Sequence, residues 1–234
     1  QCLGIPVFDV DARVIDPVTF AEVAQGESGE IVMHGPQVML GYWNIPDATR
    51  QTFIELDGKR FLRSGDLGHV RVVNGKRYLY FNGRTDDWIR KDGENFSAEN
   101  VLHFAQEIPG VDIAVAYGAP CAVADEHVMV TVQLRKNCAF NPEDAHAWLL
   151  RQQKEGGMDP KWMPDYIRII DHFPVTDTQK IMVRPYKKDY FNIEKNPDMK
   201  VFYRERGGST YHPLTMDKFL EIKDGFKKNG REAF

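Results

Sequence analysis

The chain begins with short runs of alternating apolar and polar residues and then changes to mixed helix and strand patterns. Over residues 1–82, runs such as VFDVDARVID and GEIVMHG lie between turn residues, which is typical of β-strands. One helical pattern, DATRQTFI, interrupts them, and Asp47 is its predicted N-cap. Asn74 and Gly75 lie between two strand-like runs and predict a two-residue hairpin, because both positions favour positive φ. We therefore expect a small β-rich subdomain here.

Residues 87–195 combine helix and strand patterns. The run DWIRKDGENF predicts a second hairpin that turns at Asp92 and Gly93. Helices are predicted after Ser97 and Asn141, whose side chains can accept hydrogen bonds from the first helical turn. The runs VDIAVAYG, HVMVTVQL and DYIRIID predict three strands. This region is therefore predicted to have an α+β fold.

The end of the chain predicts two more helices. One begins near Lys180 and runs towards Phe191, and a shorter one in the charged tail is capped by Thr215. The stretch between Arg63 and Asn95 separates the strand-rich pattern from the mixed one. We interpret it as the joint between two domains and expect the chemistry to lie there.

Composition narrows the function. The 234 residues are 42% hydrophobic and 27% charged, as in ordinary globular proteins, and the net charge of −4 argues against a nucleic-acid partner. Cys2, Cys121 and Cys138 are too far apart for a zinc motif or a disulfide framework. No apolar run approaches the roughly 20 residues of a membrane span. Because the chain opens in strand-like sequence without an initiator Met, we expect it to be the C-terminal piece of a longer protein.

Two polar motifs are candidates for nucleotide binding. Asp66 follows Ser64 and Gly65, and a carboxylate on a tight turn can accept hydrogen bonds from the two hydroxyls of a ribose. Arg84 lies in the motif GRTDD, where its guanidinium offers a rigid set of donors to phosphate or hydroxyl groups. A plain turn and a salt-bridged surface loop, respectively, are the alternative interpretations.

Two further motifs are candidates on the later part of the chain. The turn Asp92-Gly93-Glu94-Asn95 is either a plain hairpin turn or a place where glycine lines a narrow channel. Lys180 in TDTQKIM is either a solvated surface charge or an ammonium that reaches a neighbouring site. The sequence contains no Walker loop, GxGxxG or HExxH motif, so no metal site is predicted.

The order of these motifs resembles one family. GEIVMHGPQVMLGYWN, RSGDLG, FNGRTDDWIRKDGENFSAENV and TDTQKIMVRPYKKDY occur in this order. Over residues 29–192 they resemble the adenylate-forming superfamily of acyl-CoA synthetases, nonribosomal adenylation domains and luciferases. GENFSAENV and YHPLT look most like the fatty-acid transport and very-long-chain acyl-CoA synthetase branch.

The resemblance implies a two-step reaction. A carboxylic acid, for this branch a fatty acid, attacks the α-phosphate of ATP to form an acyl-adenylate, and the thiol of coenzyme A then displaces AMP. The family's phosphate loop and its motif for adenine and Mg²⁺ do not occur here and are expected upstream of Gln1. The isolated chain is therefore expected to be inactive without the missing N-terminal part. The odd, widely spaced cysteines suit a reducing compartment, so we expect a cytoplasmic location, and peripheral membrane contact is left open.

The resemblance assigns roles residue by residue. Asp66 matches the acid that holds the ribose hydroxyls, and Arg84 matches the arginine that contacts ribose or phosphate. Lys180 matches the catalytic lysine that serves adenylation only. Asp86 falls at the hinge of a mobile C-terminal domain. The role of Arg90 is left open.

The remaining implied roles concern coenzyme A and the domain layout. Gly93, with Glu94 and Asn95, lies on the turn that faces the coenzyme A side after rotation. The resemblance implies an α+β fold in which a small β-rich subdomain precedes a mobile C-terminal domain with an antiparallel sheet flanked by helices. The implied last subdomain of the large domain covers residues 1–85. The implied mobile domain covers residues 86–195, and residues 196–234 form an extension.

Two other functions remain open at this point. One is a ligase that loads a carrier-protein thiol instead of coenzyme A. The other is a non-catalytic module that binds nucleotide or acyl groups on the same scaffold. A test of coenzyme A against a carrier protein as the acceptor distinguishes the first alternative from an acyl-CoA ligase. A nucleotide-binding measurement tests the second.

Overall fold

The computed structural model describes residues 2–123 and 125–232, and of Asp86 only the backbone. The chain divides into two compact units, Gln1–Asp86 (unit 1) and Asp87–Phe234 (unit 2). The elements of unit 1 are β1 (Cys2–Gly4), β2 (Asp11–Ile15), β3 (Gly29–His34), α1 (Pro46–Thr52), β4 (Phe53–Leu56), β5 (Lys59–Val73) and β6 (Lys76–Arg84).

Unit 1 is built on one antiparallel sheet. Its strands lie in the order β1-β6-β5-β3-β2, and β4 pairs with β5 beside this path. The hairpin between β5 and β6 turns at Asn74, with φ of 51°, and Gly75, with φ of 74°. These two positive φ angles confirm the predicted two-residue turn.

Helix α1 begins earlier than predicted. Its N-cap position is Ile45, which makes no side-chain cap hydrogen bond, and Pro46 is the first helical residue. The prediction of Asp47 as the N-cap is therefore wrong. Proline has a fixed helical φ and no N–H to satisfy, so it starts the helix one residue ahead of Asp47. Asp47 lies instead in the first turn and forms an ion pair with Arg50.

The elements of unit 2 are β7 (Trp88–Lys91), β8 (Glu94–Ser97), α2 (Ala98–Ala105), β9 (Val111–Pro120), β10 (Glu126–Leu134), α3 (Pro142–Glu155), β11 (Tyr166–Ile170), α4 (Tyr186–Asp189), β12 (Lys200–Tyr203), β13 (His212–Pro213) and α5 (Met216–Lys228). Strands β7 and β8 form a separate two-stranded sheet, and the others form a five-stranded sheet in the order β13-β12-β11-β10-β9. The predicted α+β fold is confirmed. One pair in the larger sheet is parallel, β10 with β11, since helix α3 provides the crossover between them.

Side-chain caps fix three helix starts as predicted. Ser97 accepts a hydrogen bond from the backbone N–H of Glu99 at the start of α2, and Asn141 accepts one at the start of α3. Thr215 caps α5, and its Oγ1 accepts from the N–H of Lys218 at 3.3 Å. Residues 196–234, predicted as an extension, supply β12, β13 and α5 to unit 2.

The predicted helix from Lys180 to Phe191 is wrong at its start. Lys180 closes a loop in which its carbonyl accepts a 2.8 Å hydrogen bond from the N–H of Thr176. Only Tyr186–Asp189 is helical, with Pro185 at the N-cap position. Because proline cannot donate a backbone hydrogen bond, the helix forms only after it.

The cores of the two units differ in size. Among the described residues of unit 1 there are two clusters of three buried side chains, one with Val14, Ile31 and Val70, the other containing Phe61. In unit 2, alternate residues of the five-stranded sheet point to opposite faces. Helices α2 and α3 contribute to the large cluster on one face, and α4 and α5 to the cluster on the other. Among the described residues, no helix has the length and apolar character needed to cross a bilayer.

Candidate functional site

Asp66 and Arg84 lie directly opposite each other on β5 and β6. Arg84 Nε is 3.4 Å from Asp66 Oδ1, and the two side chains remain 55% and 40% exposed. An exposed ion pair of this kind contributes only about 0–1 kcal/mol, so a ligand can replace it at little cost. The arrangement offers an acceptor-only carboxylate beside a fork of donors, which is suited to a sugar diol and a phosphate.

A bulge, rather than a tight turn, presents Asp66. Strand β5 continues through Ser64, Gly65 and Asp66, and these three residues lie opposite the single residue Ile31 of β3. Ser64 Oγ donates to the Ile31 carbonyl at 2.6 Å and accepts from the Asp66 N–H at 3.0 Å. Gly65 has φ of +71°. The prediction of a turn is wrong because strand pairing resumes at Leu67, and the extra residues are absorbed within the strand.

Glu30 supports this bulge and was missed from the sequence. It is only 2% exposed, its carboxylate is 2.6 Å from Arg63 Nη2, and it accepts from the Gly65 N–H at 3.3 Å. A buried carboxylate needs such partners, because desolvation strongly disfavours an unpaired charge. The signal in the sequence was an acid within an otherwise apolar strand, GEIVMHG.

Asp86 lies two residues after Arg84, at the boundary between the two units. Its backbone lies in the 3₁₀ turn Thr85–Asp87, and the division into compact units falls between Asp86 and Asp87. Its side chain lies outside the described residues, so the hinge stays a prediction. Within unit 1, Thr85 Oγ1 donates to the Gly65 carbonyl at 3.2 Å, which ties the bulge to the end of β6.

The turn between β7 and β8 has the predicted hairpin conformation. Asp92 has φ of 51° and Gly93 has φ of 78°. The Gly93 N–H donates to Asp125 Oδ2 at 2.8 Å, and Glu94 Oε1 is 2.5 Å from Lys161 Nζ. Asn95 lies opposite Arg90 in the ladder.

Further ion pairs hold this turn to neighbouring loops. Arg90 Nε is 3.2 Å from Asp125, and Arg206 of the tail is 3.3 Å from Asp92. Partners on several segments therefore hold the turn, since one backbone bond and three ion pairs converge on it.

Lys180 lies at the end of an exposed loop, where its backbone pairs with Thr176. Val175 and Ile181 form an isolated antiparallel bridge, and Thr176 Oγ1 accepts from the Lys180 N–H at 3.1 Å. Gln179 has φ of 62°, which lets the chain reverse before Lys180. The backbone of Lys180 is thus held while its side chain extends into solvent.

Comparisons with known proteins agree on the family. A family model described as AMP-binding enzyme matches residues 1–43. A medium/long-chain-fatty-acid–CoA ligase of Mycobacterium marinum is 32% identical over 178 residues, which are 76% of this chain and 33% of the relative. A long-chain-fatty-acid–CoA ligase of Escherichia coli O157:H7 is 29% identical over 80% of this chain and 31% of its own length. The ATP-bound structure of MatB from Rhodopseudomonas palustris has a TM-score of 0.69 and 27% identity, over 82% of this chain and 36% of that chain. The chain is therefore similar to AMP-binding, adenylate-forming enzymes.

The chain spans about a third of the length of the curated relatives it matches. The structure brings Asp66 together with Arg84 in unit 1, and the turn at Gly93 together with Glu94 and Asn95 in unit 2. Among the described residues, no group of three or more His, Cys, Asp or Glu side chains is arranged to hold a metal ion.

Unit 2 also contains a titratable cluster that sequence reasoning missed. Asp165 is 8% exposed, and its Oδ2 lies 2.6 Å from Lys91 Nζ and 3.5 Å from His127 Nδ1. Burial raises the pKa of the Asp165 carboxyl, but its hydrogen bond with His127 and the charge of Lys91 outweigh this and hold that pKa below its usual value. No local motif could have found the cluster, because its members are distant in sequence.

Proposed function

We propose that the protein containing this chain is an ATP-dependent acid–thiol ligase that makes an acyl-CoA by way of an acyl-adenylate. The observation that carries the proposal is the Asp66–Arg84 pair, two exposed and weakly paired charges held opposite each other on paired strands. The names of two matched relatives support it, since both are fatty-acid–CoA ligases. Their shared name makes a fatty acid the proposed substrate.

In the first step, Asp66 would accept hydrogen bonds from the ribose hydroxyls of ATP, and Arg84 would donate to the ribose or to a phosphate. Lys180 would supply the positive charge that stabilises the developing charge at the α-phosphate and the attacking carboxylate. ATP carries Mg²⁺, whose ligands we expect outside these residues. The solvent-exposed position of Lys180 on its loop supports this role, because its long side chain is not committed to the core of unit 2.

In the second step, the thiol of coenzyme A would displace AMP. Asp86 is proposed as the hinge that exchanges Lys180 for the turn at Gly93, with Glu94 and Asn95 on the coenzyme A side. The boundary between the compact units at this residue supports the assignment. Hinges are commonly a few residues at the ends of elements that absorb a large φ/ψ change.

Coenzyme A is the proposed acceptor, in preference to a carrier-protein thiol. The names of the relatives favour it, because they describe CoA ligases. The cytoplasm is the proposed location, because the cysteines remain reduced there. Peripheral membrane contact is proposed only because the proposed substrate is a fatty acid.

The decisive experiment separates the two half-reactions in the full-length enzyme that contains this chain. Lys180→Ala is expected to lower ATP–pyrophosphate exchange by about 10²–10³-fold, the usual cost of losing one group that stabilises the transition state. Thioester formation from supplied acyl-adenylate and coenzyme A is expected to stay within about twofold, because Lys180 serves adenylation only.

Lys195→Ala is the matched control, since Lys195 is also exposed in unit 2. It should leave both half-reactions unchanged. Equal loss of both half-reactions in Lys180→Ala would contradict the division of labour, and full exchange activity would remove Lys180 from the site.

A further inference from the structure

A cleft of about 1100 Å³ in unit 2 contains chemistry that the proposed function does not use. Its lining includes Cys121, His127, Asp165 and Lys91. These residues bring a nucleophile, a base and an acid to one solvent-connected space. Neither Asp66 nor Lys180 lines this cleft, so the feature is separate from the residues proposed for adenylation.

The imidazole of His127 is fixed on two sides. Asp165 Oδ2 lies 3.5 Å from His127 Nδ1 and accepts a 2.8 Å hydrogen bond from the backbone N–H of Val128. The ring of Tyr166 packs edge-on against the imidazole, with ring centroids 5.3 Å apart. The orientation of the imidazole is therefore set by a buried acid and an aromatic ring.

Cys121 lies two residues beyond Ala119, the residue opposite His127 in the ladder of β9 and β10, and both Cys121 and His127 line this cleft. Burial lowers the pKa of His127, but the hydrogen bonds with Asp165 and Cys121 outweigh it and raise the pKa to about 9. At neutral pH the ring is then an imidazolium, and a cation beside a thiol favours the thiolate.

Other charged groups of the cleft act in both directions. Lys91 on β7 adds a positive charge, although it is held by Asp165. Asp125 and Glu126 line the same cleft and oppose a thiolate, but Asp125 is paired with Arg90 and Glu126 accepts from the Arg90 N–H. Arg231 adds a second positive charge, because its Nη1 donates to the Cys121 carbonyl at 2.9 Å.

We propose that Cys121 is a reactive thiolate maintained by His127, and that this cleft admits small disulfides that form a mixed disulfide with Cys121. The Cys121 sulfur attacks one sulfur of the disulfide, so that one S–S bond forms as the other breaks. The second half of the disulfide leaves as a thiolate and takes the proton of the His127 imidazolium. The disulfide is the oxidant, and the electrons balance without any other reagent.

The test uses the 234-residue chain and its own cysteines as internal standards. Iodoacetamide is reacted from pH 5 to 10, and the alkylation of each cysteine is followed by peptide mass spectrometry. Cys2 and Cys138 are exposed and serve as the reference thiols. Cys121 should titrate at least about one pH unit lower, which is about tenfold more thiolate at pH 6.5. Bis(2-hydroxyethyl) disulfide at pH 6.5 should modify Cys121 first.

His127→Gln should return the midpoint of Cys121 to that of Cys2, while His172→Gln, at an exposed histidine outside the cleft lining, should leave it low. Thermal melting checks that both variants fold. If His127→Gln fails to fold, the low midpoint of Cys121 in the unaltered chain still carries the test. A shared midpoint for all three cysteines, or no alkylation of Cys121 where Cys2 reacts, would overturn the proposal. If Cys121 is alkylated at low pH but does not react with the disulfide, the proposal that small disulfides are its substrates is overturned.

Discussion

The two units hold their candidate residues by different means. In unit 1 each face of the sheet carries a cluster of only three buried apolar side chains, so the position of Asp66 depends on strand pairing and on the polar contacts of Glu30 and Ser64. In unit 2 both faces of the larger sheet are covered by extensive apolar clusters. There the turn at Gly93 is attached to a well-packed body by ion pairs.

The difference shows that where the apolar core is small, hydrogen bonds hold the candidate residues in position. Net hydrogen-bond contributions are only about 0.5–1.5 kcal/mol each, whereas a fully buried large side chain contributes about 1.5–3 kcal/mol. Unit 1 should therefore have less reserve stability than unit 2, and polar substitutions should affect it more.

The largest effect is expected from Phe61→Ala. Phe61 is 0% exposed and is the largest member of its small cluster, so its truncation should cost about 3–5 kcal/mol. We expect amide protection to be lost throughout unit 1 and retained in β10 and β11 of unit 2. Hydrogen exchange followed by mass spectrometry measures both at once.

Phe61→Leu serves as the control, because it keeps most of the apolar volume and should cost less than about 1.5 kcal/mol. Equal loss of protection in both units of Phe61→Ala would show that the two cores are not separate in stability.

A smaller effect is expected from Glu30→Gln. The amide can still occupy the site, but it loses the charge that faces Arg63, so the expected cost is about 1–3 kcal/mol. Glu22→Gln is the matched control, since Glu22 pairs with Arg77 at the surface and should cost less than about 1 kcal/mol. Urea denaturation gives both values, and identical values would mean that burial of Glu30 does not matter.

The smallest effect is a pH dependence that belongs to unit 2. The pKa of His127 is raised to about 9 in the folded chain, above its unfolded value of about 6.5. Its stabilising contribution is therefore complete below about pH 6.5 and is lost as the pH rises through about 9. Discounted for a side chain that is 30% exposed, the loss should be about 1–2 kcal/mol.

Urea midpoints at pH 6.0 and 9.5 measure this loss. His127→Gln should remove most of the difference between the two pH values, and His172→Gln should not. An unchanged difference in His127→Gln would assign the pH dependence to other groups.

Local chemistry made much of the fold predictable. Asn74 with Gly75, and Asp92 with Gly93, specify their turns through φ, and Ser97 starts its helix through one side-chain hydrogen bond. Such signals lie within a few residues of the structure they determine. Where two local signals competed, as at Pro46 beside Asp47, the sequence interpretation chose the wrong one.

The candidate site could be predicted only in part. Simple pairing from the turn at Asn74 would place Asp66 opposite Gly83, but an irregularity between Leu67 and Gly68 shifts the register by one residue, to Arg84. The partners of Glu30 and Asp165 depend on contacts 33 and 74 residues away, with Arg63 and Lys91 respectively. Long-range pairs of this kind leave no periodic signal in the sequence.

The bulge in β5 has a consequence for how this strand tolerates insertions and deletions. Three residues opposite one is a surplus of two, which is a full period of side-chain alternation. Phe61, before the bulge, and Val70, after it, therefore point to the same faces of the sheet as they would in a strand without a bulge. Loss of a single residue here would move the side chains on one side of the bulge to the opposite face of the sheet. Loss of two residues would disrupt the segment that presents Asp66 but would leave the alternation of the remaining strand unchanged.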